Sequence, residues 1–303
     1  MRSIVVATDF SPTASLALDR ALELARAREA RIVLAHAVSY RAFAGGSARL
    51  GLLAPDVDQQ IRDASQGPMQ ELEDRVRAAG LEVVVELEMG PAAQTVATLA
   101  KKLAADLIVA GTRGHSAFEH LLLGSVAEGI VRRAECPVLT VHPGDDAPLD
   151  RLESVVVPTD FSEDADQAAE ELARLAPQLS PRPEGAPRVV LVHSDYVPPI
   201  LERLLSDTGV AQLSFDEVQA QLQAKLEPMA ESLRARGMRV ETLVSSGEPA
   251  TVITEIAASS GADLIAMGTR GRSGLEHLVL GSTAERVVQH AGCPVLTVRR
   301  GEA

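Results

Sequence analysis

The residues best placed to do chemistry form one glycine pattern that occurs twice in the chain. Gly111-Thr112-Arg113-Gly114 is followed after nine residues by Gly124-Ser125, and the pattern returns at Gly268-Thr269-Arg270-Gly271 and Gly281-Ser282. Glycine lets the backbone approach a ligand closely, and the N–H groups at the start of a following helix point toward negative charge. The pattern therefore predicts an anion site, and a nucleotide phosphate is the expected ligand.

An aspartate follows the first apolar run of each half. Asp9 and Asp160 lie between a strand pattern and a helix pattern. Ser11 and Ser162 stand two positions later, where they are better placed to cap the helix. The carboxylates can then face the ends of the strands, so we favour a ligand role over a simple interaction with the helix dipole.

A histidine lies in the second apolar run of each half, at His36 and His193. In such a run a hydrogen-bonded structural histidine is more common than a catalytic one. The two cysteines, Cys136 and Cys293, stand in identical Cys-Pro-Val-Leu-Thr-Val contexts. We interpret them as small buried residues rather than as a disulfide or a metal pair.

These residues must be positioned by a pattern in which apolar runs alternate with helical segments. Strands that alternate with helices predict a parallel sheet with helices on both faces. The stretch 39–68 has an irregular pattern and is not assigned to an element. The strands predicted in the first half are 3–8, 31–38, 81–87, 106–111 and 137–141.

The same order returns in the second half. Asp9 and its repeat lie 151 positions apart, whereas the glycine patterns lie 157 apart, and the six extra residues fall in the proline-rich turn 181–187. A duplicated domain tolerates an insertion that is confined to one surface loop. The chain is therefore predicted to hold two α/β domains, 1–143 and 153–303, joined by the polar linker 144–152.

The composition bounds the classes of function. A chain of 303 residues with 46% hydrophobic and 23% charged residues is typical of a globular protein, and 2% aromatic residues require an aliphatic core. A net charge of −13 argues against a nucleic-acid partner, which needs clustered Lys and Arg. No apolar stretch is long enough to span a bilayer, so we expect a cytoplasmic protein with no membrane partner.

Three motifs together resemble the universal stress protein family in its tandem two-domain form. They are the Thr-Asp-Phe-Ser after each first strand, the glycine pattern and the closing Cys-Pro-Val. The resemblance extends over nearly the whole chain, in both halves. The resemblance implies two doubly wound α/β domains of the Rossmann-like adenine-nucleotide α-hydrolase type, each with a five-stranded parallel sheet of order 3-2-1-4-5. It also implies a ligand site between the first and fourth strands, where Asp9 would meet Gly111.

Because both glycine patterns are intact, the resemblance implies the ATP-binding subgroup of the family. The residues implied around adenine stand at the ends of the first two strands of each half: Ala7, the backbone of Ala37, Pro158 and Ser194. Ribose, or a Mg²⁺ bound to phosphate, would contact Asp9 and Asp160. The full set of implied nucleotide contacts is Ala7, Thr8, Asp9, Ala37, Gly111, Arg113, Gly114, Gly124, Ser125, Val126, Pro158, Thr159, Asp160, Ser194, Met267, Gly268, Arg270, Gly271, Arg272, Gly281, Ser282 and Thr283.

Two pairs of site residues have alternative interpretations. Ser125 and Ser282 each begin a Ser-x-x-Glu capping box, in which the hydroxyl accepts a backbone N–H. A hydroxyl can also donate to a phosphate, and we favour that role in addition. Arg113 and Arg270 could equally reach phosphates or lie in solvent as loop residues.

The two sites are not expected to be equal. His115 stands where the second half has Arg272, so the second site is more basic, and we predict that it binds ATP more tightly. The segments 45–66 and 195–215 occupy equivalent places and share little sequence, and we interpret them as lids or partner surfaces.

The expected function is that of an ATP-binding stress-response sensor or regulator with a regulatory protein partner. Two alternatives stay open: an enzyme with slow ATP hydrolysis or nucleotidyl or phosphoryl transfer, and a nucleotide-independent scaffold. The enzyme would need an activated water and a charge-stabilising group at the γ-phosphate. The only candidates for these roles are Asp9, Asp160 and the loop arginines, and no base is evident at the phosphate end. The halves are expected to form a pseudo-dimer through strands 137–141 and 294–298, and two chains can then associate as a homodimer.

Overall fold

The computed structural model describes eight ranges of the chain, and the following account concerns these residues. The chain divides into two units between residues 150 and 151, inside the predicted linker 144–152. The units are described one at a time. The described ranges are 2–38, 55–114, 124–145, 148–149, 152–179, 186–196, 215–271 and 280–299.

The first unit has strands that alternate with helices along the described chain. Its strands are β1 (Ser3–Ala7), β2 (Arg31–Val38), β3 (Val83–Met89), β4 (Leu107–Gly111) and β5 (Val138–Val141). Its helices are α1 (Pro12–Arg26), α2 (Pro55–Ala78), α3 (Ala92–Lys102) and α4 (Ser125–Arg133). The strand order is β3-β2-β1-β4-β5, and neighbouring strands are parallel. This confirms the predicted order 3-2-1-4-5.

The second unit repeats this arrangement. Its strands are β6 (Ser154–Pro158), β7 (Arg188–Asp195), β8 (Arg239–Ser246), β9 (Leu264–Gly268) and β10 (Val295–Val298). Its helices are α5 (Glu163–Leu179), α6 (Phe215–Ala235), α7 (Pro249–Ser259) and α8 (Ser282–His290). The strand order is β8-β7-β6-β9-β10, again with parallel neighbours. The α/β duplication inferred from the sequence is therefore present in the fold.

The first strand of each unit is buried along its whole length because helices cover both faces of each sheet. Ile4 and Val5 of β1 and Val155 and Val156 of β6 all have 0% exposure. The strand β3, at the edge of its order, is only half-buried. The buried hydrophobic side chains are aliphatic, as the scarcity of aromatic residues predicts.

The first helix of each unit starts at a serine cap. In α1 the Ser11 hydroxyl accepts the Ala14 N–H at 3.2 Å, and Pro12 occupies the first helical position, where a missing N–H costs nothing. In the second unit the Ser162 hydroxyl accepts the Ala165 N–H at 3.3 Å. These caps confirm the assignment of the serines, rather than the aspartates, to the helix starts.

The irregular stretch predicted over 39–68 is wrong in its second part, because α2 begins at Pro55 and contains Pro68. Proline removes one N–H donor and usually disrupts a helix interior. Met69 and Val76 on the same helix nevertheless stay buried, with 4% and 0% exposure. Packing of this apolar side against β2 and β3 therefore outweighs the local cost.

Neither cysteine is in a disulfide, and both precede the last strand of their unit. Cys293 is buried and Cys136 is half-buried. Within the described ranges, no helix has both the length and the apolar character needed to cross a membrane.

Candidate functional site

Each unit contains a cavity at the carboxyl ends of its strands, where the strand order reverses between the first and fourth strands. In the first unit the cavity measures about 130 Å³. It lies among the ends of β1, β2 and β4 and the starts of α3 and α4. The predicted site residues that line it are Ala7, Thr8, Asp9, Ala37, Gly111, Arg113, Gly114, Gly124, Ser125 and Val126.

The second unit has an equivalent cavity of about 170 Å³. Arg272, also predicted for this site, lies outside the described residues, as does His115 of the first unit. The predicted difference in basicity between the two sites therefore stays a prediction. The predicted residues that line the second cavity are Pro158, Thr159, Asp160, Ser194, Met267, Gly268, Arg270, Gly271, Gly281, Ser282 and Thr283.

Close backbone approach explains the glycines of the repeated pattern. The Gly124 N–H donates to the Thr112 carbonyl at 2.6 Å, and a Cβ on Gly124 would lie 3.0 Å from that oxygen. The Gly281 N–H donates to the Thr269 carbonyl at 2.8 Å in the same way. A side chain on the last glycine would push the helix start away from the loop, so the pattern joins the two walls of each cavity.

The starts of α4 and α8 lie directly at the cavities. Gly124 and Gly281 are the N-cap residues, and no side-chain hydrogen bond caps either helix within the described chain. The predicted capping boxes of Ser125 and Ser282 are therefore wrong, because each serine is already the first helical residue. In α4 the glutamate of the supposed box, Glu128, instead pairs with Arg132 further along the helix at 2.7 Å.

The carboxylate of Asp9 lies beside the second glycine of the loop. Its Oδ1 accepts the Ser11 N–H at 3.0 Å, and its Oδ2 would lie 2.2 Å from a Cβ placed on Gly114. The expected neighbour, Gly111, instead packs against the first turn of α1, where its Cβ would lie 3.0 Å from the backbone of Thr13. The carboxylate therefore lies beside the second glycine of the pattern rather than beside the first.

Asp160 repeats this geometry in the second unit. It accepts the Ser162 N–H at 3.1 Å, and its Oδ2 would lie 2.7 Å from a Cβ on Gly271. Within the described residues, no group of three or more His, Cys, Asp or Glu residues could hold a metal ion. Mg²⁺ commonly binds through one or two carboxylates together with phosphate oxygens. Among the described residues that line each cavity there is one carboxylate, which fits Mg²⁺ only as a partner of a bound phosphate.

The histidines at the ends of β2 and β7 hold the turns that carry these aspartates. The Nδ1–H of His36 donates to the Thr8 carbonyl at 2.8 Å, and its ring contacts Phe10 with centroids 4.4 Å apart. His193 bonds the Thr159 carbonyl at 2.8 Å. Since a carbonyl only accepts, the proton must be on Nδ1. The histidines are hydrogen-bonded structural groups, as the sequence predicts.

The loop arginines line the cavities and are half-buried. Their backbones are also held, because the Arg113 carbonyl accepts the Ser11 hydroxyl at 3.4 Å and the Arg270 carbonyl accepts the Ser162 hydroxyl at 3.4 Å. The serine that caps the first helix therefore also tethers the glycine loop. Half-burial places both arginines at the cavity wall rather than wholly in solvent.

Sequence reasoning missed the wall formed by the helix after the third strand. Ala92 and Val96 of α3 line the first cavity, and Pro249 and Ile253 of α7 line the second. A signal was present, because Gly90 and its repeat end the third strand at the same edge of the sheet as the glycine loops. The further lining residues missed are Ala14, Ala35, Ala110, Thr112, Ala127, Ile130, Ala165, Val192, His193, Thr269 and Ala284.

The fold agrees with the comparisons to known proteins. The Universal stress protein family matches residues 1–142 and 152–299. The universal stress protein Rv2623 of Mycobacterium tuberculosis is 28% identical over 300 residues, which cover 98% of this chain and 96% of that protein. Universal stress protein MJ0531 of Methanocaldococcus jannaschii is 33% identical over 146 residues, 48% of this chain and 81% of that protein.

A solved structure has the same fold over the full length. The crystal structure of a universal stress protein from Archaeoglobus fulgidus superposes with a TM-score of 0.72 at 22% identity, covering 99% of this chain and 97% of that one. With two family segments and a full-length tandem relative, the chain belongs to the universal stress protein family and carries two of its domains in tandem.

Proposed function

We propose that each unit binds an adenine nucleotide, with ATP and Mg²⁺ as the expected ligand, and that the chain acts as a nucleotide-dependent stress-response sensor or regulator in the cytoplasm. The observation that carries this proposal is the start of α4 and of α8. Each helix begins at the cavity with a glycine cap and, within the described chain, with no side-chain cap. Its first N–H groups are therefore not capped by a side chain of the described chain and can meet an anion in the cavity.

A phosphate group suits this place for three physical reasons. The helix dipole carries about half a positive charge at its N-terminus. The glycines let phosphate oxygens approach the backbone. The Ser125 and Ser282 hydroxyls are exposed at the cavity and can donate to an oxyanion. An anion bound here would meet N–H and O–H donors together, as in other phosphate sites at helix starts.

The rest of each cavity suits a flat apolar ring. In the first unit the wall opposite the loop contains Ala7, Ala37, Ala92 and Val96, whose side chains present only carbon. A base can stack its apolar face on this aliphatic carbon and turn its polar edge toward the exposed backbone at the strand ends. Asp9 lines the same cavity, where it would contact ribose or a phosphate-bound Mg²⁺ and the metal would offset the charge of the phosphates.

The test is to identify what the purified protein holds and then to block the helix starts. The protein is denatured, and the released nucleotide is identified and counted by mass. Val126→Asp and Thr283→Asp place a carboxylate in the first turn of α4 and α8. Aspartate is favourable at a helix start, so folding is preserved while phosphate is repelled. We expect at least tenfold weaker ATP binding at each altered site in calorimetric titration.

Charge-matched controls place the same carboxylate elsewhere. Gly292→Asp adds it beyond the far end of α8, which lies roughly 10 Å from position 283 by helical rise, more than a Debye length of about 8 Å. Gly67→Asp adds it on α2, and a Cβ meets nothing within 4 Å at either control site. Wild-type affinity in the helix-start variants, or no nucleotide bound by the wild type, would overturn the proposal. ATP turnover that Asp160→Asn abolishes would favour the enzyme instead.

A further inference from the structure

The two units differ in one buried residue directly behind the glycine loop. Thr13 of α1 and Asp164 of α5 are equivalent positions, 151 residues apart. Each contacts the first glycine of its loop: a Cβ on Gly111 would lie 3.0 Å from the Thr13 carbonyl carbon, and one on Gly268 would lie 2.7 Å from that of Asp164. The residue at this position therefore supports the loop from behind, although it does not line the cavity.

In the second unit the carboxylate holds the loop by two hydrogen bonds. Asp164 Oδ2 accepts the Arg270 N–H at 3.1 Å and the Thr269 hydroxyl at 3.4 Å. Asp164 is 7% exposed and Thr269 is 2% exposed. A negative charge is therefore buried immediately behind the loop, and the Arg270 N–H is directed back to it rather than toward the cavity.

In the first unit threonine replaces this carboxylate, and the loop lacks the same partner. The Thr112 hydroxyl, which corresponds to that of Thr269, is buried and has no hydrogen-bond partner among the described residues. Thr112 is 0% exposed and lines the cavity. Among the described residues, the first site therefore has an unsatisfied hydroxyl and no buried carboxylate at the place where the second site makes both hydrogen bonds.

We propose that the Thr13/Asp164 position sets how many phosphate charges each site accepts, an inference that rests on the proposed function. Behind the second loop, the Asp164 charge lowers the affinity for a nucleoside triphosphate more than for a monophosphate, because repulsion grows with the charge of the ligand. The first site lacks this penalty. The residue is a specificity-determining group that acts through the loop and does not touch the ligand.

The experiment measures the ratio of the AMP to the ATP dissociation constant at one site at a time. The Val126→Asp background isolates the second site, and the Thr283→Asp background isolates the first. In the second site, Asp164→Thr and Asp164→Asn are compared with their parent. Asn keeps the size of the side chain and an oxygen for the Arg270 N–H but removes the charge. In the first site, Thr13→Asp introduces it.

We expect both substitutions of Asp164 to raise the preference for ATP over AMP by about tenfold, and Thr13→Asp to lower it by a similar factor. If Asp164 had a purely structural role, its substitution would weaken the binding of both nucleotides equally and leave the ratio of their dissociation constants unchanged. A ratio within twofold of the parent in Asp164→Asn, with binding retained, would overturn this inference and leave the proposed function intact.

Other outcomes are equally decisive. If neither parent binds ATP or AMP, the proposed function fails and this inference fails with it. If Thr13→Asp does not fold, as judged by circular dichroism, the two substitutions of Asp164 decide the question alone, because they remove a charge from a buried site rather than add one.

Discussion

In the first unit Gly129 stands where α3 meets α4, whereas in the second unit an arginine, Arg286, occupies the equivalent place between α7 and α8. A Cβ on Gly129 would lie 2.6 Å from the Cβ of Ala93. Arg286 instead reaches Glu248, with 2.9 Å between Nη1 and Oε1. These helices border the two cavities. Two copies of one site are therefore held by different interactions, close contact in one and charge in the other.

A second difference lies between the first two helices of each unit. Arg75 of α2 donates to the Ser15 hydroxyl at 2.8 Å and pairs with Asp19 at 2.6 Å, both on α1. In the second unit Ser232 replaces the arginine, and two carboxylates, one of them Asp166, replace its partners. The backbone contacts of the glycine loop recur in both units while these side chains do not. The duplicated frame is thus independent of any one polar pair.

The largest effect on stability is expected from Gly129→Ala, which disturbs the close contact between α3 and α4. The new methyl group would be forced against Ala93, and overpacking of this kind costs about 1–3 kcal/mol. The contact of 2.6 Å is shorter than any ordinary Cβ contact, so we expect a cost in the upper part of this range, above the roughly 1 kcal/mol that alanine gains over glycine in a helix. We therefore expect a lower free energy of unfolding for the first unit, measured by urea denaturation with circular dichroism.

Gly67→Ala on α2 is the matched control. A Cβ there meets nothing within 4 Å, so the gain in helix propensity acts alone and stability should rise. If both alanines stabilised the protein, Gly129 would not be needed for packing and the contrast with Arg286 would fail.

A smaller effect is expected from the charge that replaces this contact. Glu248 caps α7 by accepting the Thr251 N–H at 3.0 Å. Burial would raise the pKa of Glu248, but hydrogen bonds from Thr251 and Ala250 and the Arg286 charge lower it below the ordinary 4.5. A carboxyl whose pKa is lower in the folded state stabilises the fold at pH values above its unfolded-state pKa. This stabilisation is lost as the pH falls through the folded-state pKa.

Glu248→Gln should therefore lower the free energy of unfolding of the second unit by up to about 1 kcal/mol at pH 7. The difference from the wild type should disappear as the pH falls below the folded-state pKa. Urea denaturation over a pH series measures it. Glu255→Gln, exposed on the same helix, is the control. A loss that is the same at every pH would show that the charge of Glu248 does not hold α7 and α8.

The order of the sheet and the place of the site could be predicted because they depend on local patterns that occur twice. Apolar runs, turn residues and the spacing of glycines are written in short stretches, and their repetition in register leaves little room for another topology. The glycine loop and Asp9 came together because parallel strands end at one edge of the sheet.

The finer geometry depends on contacts between distant segments, which a single sequence does not contain. Ser125 and Gly124 both fit a helix start, and the choice between them follows from the bond between Gly124 and Thr112, which lie on different elements. Pro68 lies inside α2 because tertiary packing overrides its helix-breaking tendency. The support from Asp164 was missed for the same reason, since its partners are more than 100 residues away.

The smallest effect on stability is expected from giving the second unit the arginine that the first unit has between its first two helices. The pKa of Asp166 is raised by burial and by the nearby charges of Glu170 and Asp160. A raised folded-state pKa destabilises the fold above that value, and the penalty is relieved as pH falls through it. Ser232→Arg places a cation where Arg75 stands in the first unit. It should lower the pKa of Asp166 and raise stability by about 0.5 kcal/mol at pH 7.

The pKa of Asp166 is measured by NMR titration of its carboxyl carbon, and stability by urea denaturation across the same pH range. The gain from Ser232→Arg should shrink in an Asp166→Asn background, because the new cation then has only Glu170 left to pair with. It should vanish at low pH, where the carboxyls are neutral. An unchanged pKa, together with a gain that persists at low pH, would mean that the arginine stabilises by burying its stem rather than by its charge. In that case Arg75 and Ser232 would differ in packing, and the electrostatic contrast between the two units would have to be withdrawn for this helix pair.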